Sequence, residues 1–119
     1  IEIKKIILNY NVKILSQNYI DGKILKNILE DIKSTQEKLI LAIMQKNNNK
    51  VEIYILVTKD CFDYFTARDI INNINKSIGS SGGGKDDLAQ AGIDFNGNLS
   101  DLEKNISQII SEIIKNKGK

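Results

Sequence analysis

The sequence contains no histidine, no tryptophan and no proline, and it has a single cysteine, Cys61, and a single methionine. Without histidine there is no imidazole base for Ser–His or Cys–His catalysis and no mixed Cys/His zinc set. One cysteine excludes a disulfide within the chain. Cys61 stands beside Phe62 and reads as a small buried apolar residue rather than a reactive thiol. Long apolar runs are also missing: none approaches the roughly 18 residues of a membrane-spanning helix, and no signal-peptide pattern is present, so no membrane partner is expected. Nor does one sign of charge dominate. The 17 basic and 15 acidic residues leave a formal charge of +2, and a pI near 8.6 falls short of the strongly basic domains that bind nucleic acid by charge alone.

What is present describes a globular domain. Leu, Ile, Val and Phe supply 39 of 119 residues, well above the roughly one fifth below which chains stay disordered. The length fits one domain and leaves no room for a second core. Lys, Ile and Asn together make up 53 residues, the mark of an AT-rich genome, so scattered lysines carry little functional weight. The chain opens on Ile1 rather than Met, and the expectation is a segment of something longer.

Residues 1–11 are ambiguous, because Ile3, Ile6, Ile7 and Tyr10 have helical spacing while Ile6-Ile7-Leu8 could be a strand. Val12 to Leu15 reads as a short strand. Asp21 caps a helix whose apolar positions Ile24, Ile28 and Ile32, flanked by Leu25 and Leu29, make one face. Leu39–Gln45 and Val51–Val57, separated by Lys46-Asn47-Asn48-Asn49-Lys50, predict a hairpin, since Asn tolerates left-handed backbone. Val51, Ile53, Ile55 and Val57 would share one face, with Glu52, Tyr54 and Leu56 on a partly covered other face. Thr66-Ala67-Arg68-Asp69 has capping-box form and opens a helix striped by Ile70, Ile71, Ile74 and Ile78, which Gly79 ends. Ser100-Asp101-Leu102-Glu103 repeats the capping signature before a final helix with Leu102, Ile106, Ile109, Ile110, Ile113 and Ile114 on its face. The predicted fold is α/β: a single mixed β-sheet with packed helices, in the order strand, helix, hairpin, helix, glycine loop, helix.

Residues 79–92 are the stretch that codon bias cannot explain, because they hold five of the chain's eight glycines. Three physical readings compete. As a phosphate-binding P-loop, Gly79 and Gly84-Lys85 have the spacing, but Asp86 stands where Ser or Thr should hold magnesium, and the segment follows a helix rather than a strand. As a structural loop, the glycines permit a tight path, and the small residues of Ala89-Gln90-Ala91-Gly92 suggest close backbone packing. As a backbone-amide nest, the N–H groups of Gly82, Gly83 and Gly84 would converge on an anion beside the Lys85 ammonium. Gln90 could then meet a sugar or base edge, or its amide could simply pin the loop. Asp86-Asp87 and Glu30-Asp31 are sequence neighbours whose side chains diverge on regular elements, which argues against an independent enzyme site.

At this motif the sequence resembles the C-terminal, DHHA1-type domain of alanyl-tRNA synthetase. The resemblance lies in Gly82-Gly83-Gly84-Lys85 followed after Asp86-Asp87-Leu88 by Ala89-Gln90-Ala91-Gly92, and in the element order from about Val12 to Ile114. Phosphodiesterases that share the module usually have histidine where Lys85 stands, which favours the synthetase branch. Asp86 occupies the usual proline position and adds a negative charge beside Lys85, Ser80 and Ser81 stand at positions often glycine or basic, and Ile93 replaces a frequent second glycine.

The resemblance implies a non-catalytic part of a larger alanine–tRNA ligase, with no cofactor and no metal, cytoplasmic or organellar. It implies a domain that contacts the outer corner of alanine-accepting tRNA and helps present it to the catalytic and editing domains. It implies residues 1–11 as the stub of a preceding segment, through which the family can form homodimers, and 12–119 as the globular domain. The candidate RNA-binding residues are Gly82, Gly83, Gly84, Lys85 and Gln90, with Lys59, Arg68 and Lys76 as outlying phosphate contacts or, alternatively, ordinary solvated charges. The alternative function, of a different class, is a dimerisation or interdomain docking module, suggested by the Ile-rich helices.

Overall fold

The structure, a computed structural model, describes residues 2–118; Ile1 and Lys119, the outer ends of the two spans expected from the sequence, lie outside the described residues. These residues form a six-stranded sheet covered by helices on both faces. Strands β1 (Glu2–Ile7) and β2 (Tyr10–Gln17) form an antiparallel hairpin. Leu8 and Asn9 carry it through two positive φ angles, 50° and 72°. The ambiguous N-terminal stretch is therefore a strand, and its alternation agrees, with Ile3 and Ile7 packed on the core while Ile6 is exposed.

Helix α1 (Gly22–Thr35) then crosses over to β3 (Leu39–Asn47), which lies parallel to β2. Asp21 caps α1, its carboxylate accepting from the Lys23 N–H at 3.0 Å. The buried face of α1 is Leu25 and Leu29, with Ile32 half-buried. Ile24 and Ile28, placed on that face by the sequence reading, are instead exposed. Two adjacent apolar stripes compete for the sheet, and the leucine stripe takes it.

β3 and β4 (Lys50–Val57) form the expected hairpin, tightened so that only Asn48 and Asn49 turn, Asn48 with φ 59°. Val51, Ile53, Ile55 and Val57 are all buried on one side, and Tyr54 and Leu56 on the other, beneath α1. A single 3₁₀ turn, Lys59–Cys61, leads to α2 (Ala67–Ile78). Its capping box is made by Thr66 and Asp69, and its close by Gly79 at φ 78°. The final helix, α3 (Leu99–Lys117), starts earlier than the Ser100 signature suggests, because Asn98 takes the cap and accepts from the Ser100 N–H at 2.9 Å. Both α2 and α3 pack on the face opposite α1.

The glycine segment is not a loop. It is a third hairpin, β5 (Ser81–Gly84) and β6 (Leu88–Asp94), in which β6 pairs antiparallel with β4 and β5 forms the sheet edge, giving the order β1-β2-β3-β4-β6-β5. Backbone pairing to β6 supplies what the glycines' poor strand propensity does not.

Candidate nucleic-acid interface

Three elements bring the glycine run to one place. β6 continues the sheet beyond β4 and carries β5 on its outer side, while α1 covers β3 and β4. An open cleft of about 570 Å³ lies where α1 ends its cover and the β5–β6 shelf begins. Gly83, Gly84, Lys85 and Gln90 line it together. Gly82 lies one residue along the same strand, opposite Ala91 in the register.

The nest geometry does not form. A nest alternates right- and left-handed residues so that successive N–H groups converge, but Gly82, Gly83 and Gly84 lie in an extended strand, and Gly79 is the glycine with positive φ. Along a strand, successive amides point in opposite directions. The P-loop reading fails on the same ground, since strand β5 pairs with β6 through a turn and no helix follows the glycines. What the run offers instead is an edge strand whose four residues are all exposed.

The turn that joins the two strands is held from both sides of the sheet. The Lys85 N–H donates to the Leu88 carbonyl at 2.9 Å, the Ala67 N–H to the Asp86 carbonyl at 2.7 Å and the Val57 N–H to the Asp87 carbonyl at 2.9 Å. From α2, Arg68 Nε donates to the Gly84 carbonyl at 3.1 Å and its guanidinium lies 3.5 Å from the Asp86 carboxylate. Asn75 donates to the Gly82 carbonyl at 3.1 Å. The Asp86 charge is thus met by Arg68 rather than by Lys85.

From α1, Lys33 lies 2.6 Å from both Glu30 and Asp87. The hydrogen bond from Lys33 holds the Asp87 carboxyl below its ordinary range, and the same bond, with that to Glu30, raises Lys33. Those two carboxylates in the cleft wall are compensated. Lys85 is exposed and makes no ion pair among the described residues, and the Gln90 amide is exposed with no hydrogen-bond partner among them. Gln90 therefore does not pin the loop.

The outlying cations do not gather at the cleft. Lys59 lines a neighbouring depression, beyond the Lys33–Asp87 bridge. Arg68 is engaged with Gly84 and Asp86. Lys76 lies in a groove between α2 and α3, on the opposite face. Two cations in the cleft escaped the sequence reading, both from α1: Lys26, and Lys33, which is engaged with Glu30 and Asp87. Cys61 is fully buried, and burial pushes its thiol up to about 11, which leaves it a packing residue. Among the described residues, no group of three His, Cys, Asp or Glu side chains is close enough to hold a metal, and no helix is long and apolar enough to cross a membrane.

Comparison with known proteins agrees with this architecture. The DHHA1 domain model matches residues 8–112. The alanine–tRNA ligase of Oleidesulfovibrio alaskensis is 37% identical over 70 residues, 59% of this chain and 8% of that protein. That of Francisella tularensis subsp. holarctica is 31% identical over 108 residues, 89% of this chain and 12% of the relative. The chain therefore spans about a tenth of the length of these curated relatives. The crystal structure of the C-Ala domain from Aquifex aeolicus alanyl-tRNA synthetase superposes with a TM-score of 0.77 at 21% identity, covering 91% of this chain and 97% of that one, so the two share a fold. With its family model matched across most of the sequence, the chain belongs to the DHHA1 domain family.

Proposed function

We propose that this chain is the tRNA-binding C-terminal domain of an alanyl-tRNA synthetase. In this reading it is a non-catalytic part of a larger alanine–tRNA ligase. It grips the outer corner of the tRNA and helps present it to the aminoacylation and editing centres, wherever the parent enzyme charges tRNA, in the cytoplasm or an organelle. Family membership and the short span relative to alanine–tRNA ligases support the assignment.

One observation carries the RNA reading: the cleft sets the exposed Lys85 ammonium and the Gln90 amide, neither in an ion pair or side-chain hydrogen bond among the described residues, beside the exposed edge at Gly83 and Gly84. That set suits a ribose–phosphate backbone, with the ammonium meeting phosphate and the amide meeting hydroxyl or base edge. Gly82 shapes the strand, Lys59 adjoins, and Arg68 and Lys76 stand off the contact. Lys85→Glu is expected to weaken binding of alanine tRNA and of an unrelated tRNA alike, with the melting temperature unchanged. Titrations of both labelled tRNAs at low and physiological salt check this, and equal affinities for variant and parent remove Lys85 from the site.

A second reading rests on the outer surface of α1. Ile24 and Ile28 are 56% and 40% exposed, and Ile28 borders an apolar groove of about 350 Å³ with Leu15 and Ile20. Such a surface suits contact with another protein domain. Sedimentation without RNA tests it: a stable dimer that tRNA does not shift favours this reading.

A further inference from the structure

The glycine run divides into two kinds of position. A Cβ at Gly82 would fall 2.1 Å from the Gln90 carbonyl oxygen and 2.5 Å from Ala91 Cα, and one at Gly84 would fall 2.5 Å from both Ala89 Cα and the Leu88 carbonyl oxygen. β5 approaches β6 so closely at these two residues that the fold itself demands glycine. At Gly83 a Cβ would meet nothing within 4 Å, and φ is not positive. Neither packing nor backbone conformation requires glycine there. Yet Gly83 sits in the cleft, paired in register with Gln90.

The facing wall comes from α1, which contributes Lys26, Glu30 and Lys33, spaced so that they lie on one stripe of the helix. Lys33 is taken by Glu30 and Asp87. Lys26 is exposed and makes no ion pair among the described residues. Two cations of the cleft are thus free to meet an anion, one on the β5–β6 turn and one on α1.

We propose that the cleft is a two-walled seat for a ribose–phosphate backbone, in which Gly83 leaves a bare floor for close approach and Lys26 makes a phosphate contact in addition to Lys85. The proposal rests on the tRNA-binding reading and assigns residues within it. Its test is a set of titrations of labelled alanine tRNA across a salt series, with thermal melts on every variant of the 119-residue chain. Lys26→Ala is expected to flatten the plot of log K against log salt by about 0.7–0.9, as Lys85→Ala does, because each removes one phosphate contact. Gly83→Val is expected to lower affinity about tenfold at every salt concentration, the scale of one good contact, with the slope and the melting temperature unchanged. If valine lowers the melting temperature, Gly83→Ala supplies the same arm. A Lys26→Ala variant with the parent's slope, or a Gly83 variant with the parent's affinity, beside a weakened Lys85→Ala, overturns the proposal and leaves the tRNA reading standing. Parental binding by all three variants overturns the tRNA reading itself.

Discussion

Gly82 and Gly84 illustrate how a residue is dictated by its neighbour's backbone rather than by its own turn. A methyl group at either position collides with β6 main chain, which cannot rotate away as a flexible side chain could. Gly82→Ala and Gly84→Ala are each expected to cost ~1–3 kcal/mol, the range of overpacking a tight contact. Gly83→Ala should stay within about 0.5 kcal/mol, as surface substitutions do. Urea unfolding midpoints check all three, and an unchanged midpoint for Gly82→Ala would show that β5 does not approach β6 so closely. Sequence alone cannot rank these glycines, because the atoms that discriminate among them belong to residues 88–91. Capping residues were more legible, since their chemistry is local: Asp21 and Thr66 stand where the polar pattern places them. Where two caps compete within three residues, as Asn98 and Ser100 do, pattern leaves the choice open and the observed hydrogen bond settles it on Asn98.

Elements with strong apolar periodicity could be read directly, whereas β5 could not. Ser81-Gly82-Gly83-Gly84 has no side chain that favours a strand, and it becomes one because β6 pairs with it and α2 donates to two of its carbonyls. The phase of α1 was equally hidden, since isoleucine and leucine stripes lie side by side and only the sheet selects between them. That phase also sets the cleft: with Leu25 and Leu29 buried, Lys33 meets Asp87 across the gap and ties the helix to the β5–β6 turn. The bridge holds Asp87 below its ordinary 3.8 and Lys33 above its ordinary 10.5. A lowered carboxylate contributes stability at neutral pH that is lost as pH falls through its depressed range. A raised amine contributes stability that is present below 10.5 and lost as pH rises above it. Lys33→Met should therefore be less stable than the parent by up to about 1 kcal/mol near neutrality, the range of a partly exposed ion pair. The difference should close in strong acid and in strong alkali. Urea midpoints of both proteins across pH measure it, and a difference that stays flat over the whole range would mean that the bridge contributes nothing.

At the scale of the whole molecule, the two faces of the sheet are covered unequally, and the candidate interface follows from that. Two helices bury the face that carries Val51, Ile53, Ile55 and Val57, while α1 alone covers the other and leaves the β5–β6 shelf open at its flank. Charge is not similarly concentrated. With 17 basic and 15 acidic residues the net charge is +2, and at physiological salt a charge is felt over only about 8 Å. Any grip on a polyanion must then come from the few cations at the point of contact rather than from the field of the domain. Lysine abundance concealed this from the sequence: Lys26 is one of 16 lysines, and only the fold brings it to the same cleft as Lys85. Two neutralised phosphates, at Lys85 and Lys26, predict a fall of log K with log salt at a slope of about −1.4 to −1.8, at roughly 0.7–0.9 per contact. The slope should be the same for alanine tRNA and for an unrelated tRNA, because phosphate contacts carry no sequence information. Binding measured from low to physiological salt tests both statements. A slope near zero would show that the cleft neutralises no phosphate, and a slope steeper than about −5 would demand a broad basic surface that a chain with 15 acidic residues does not provide.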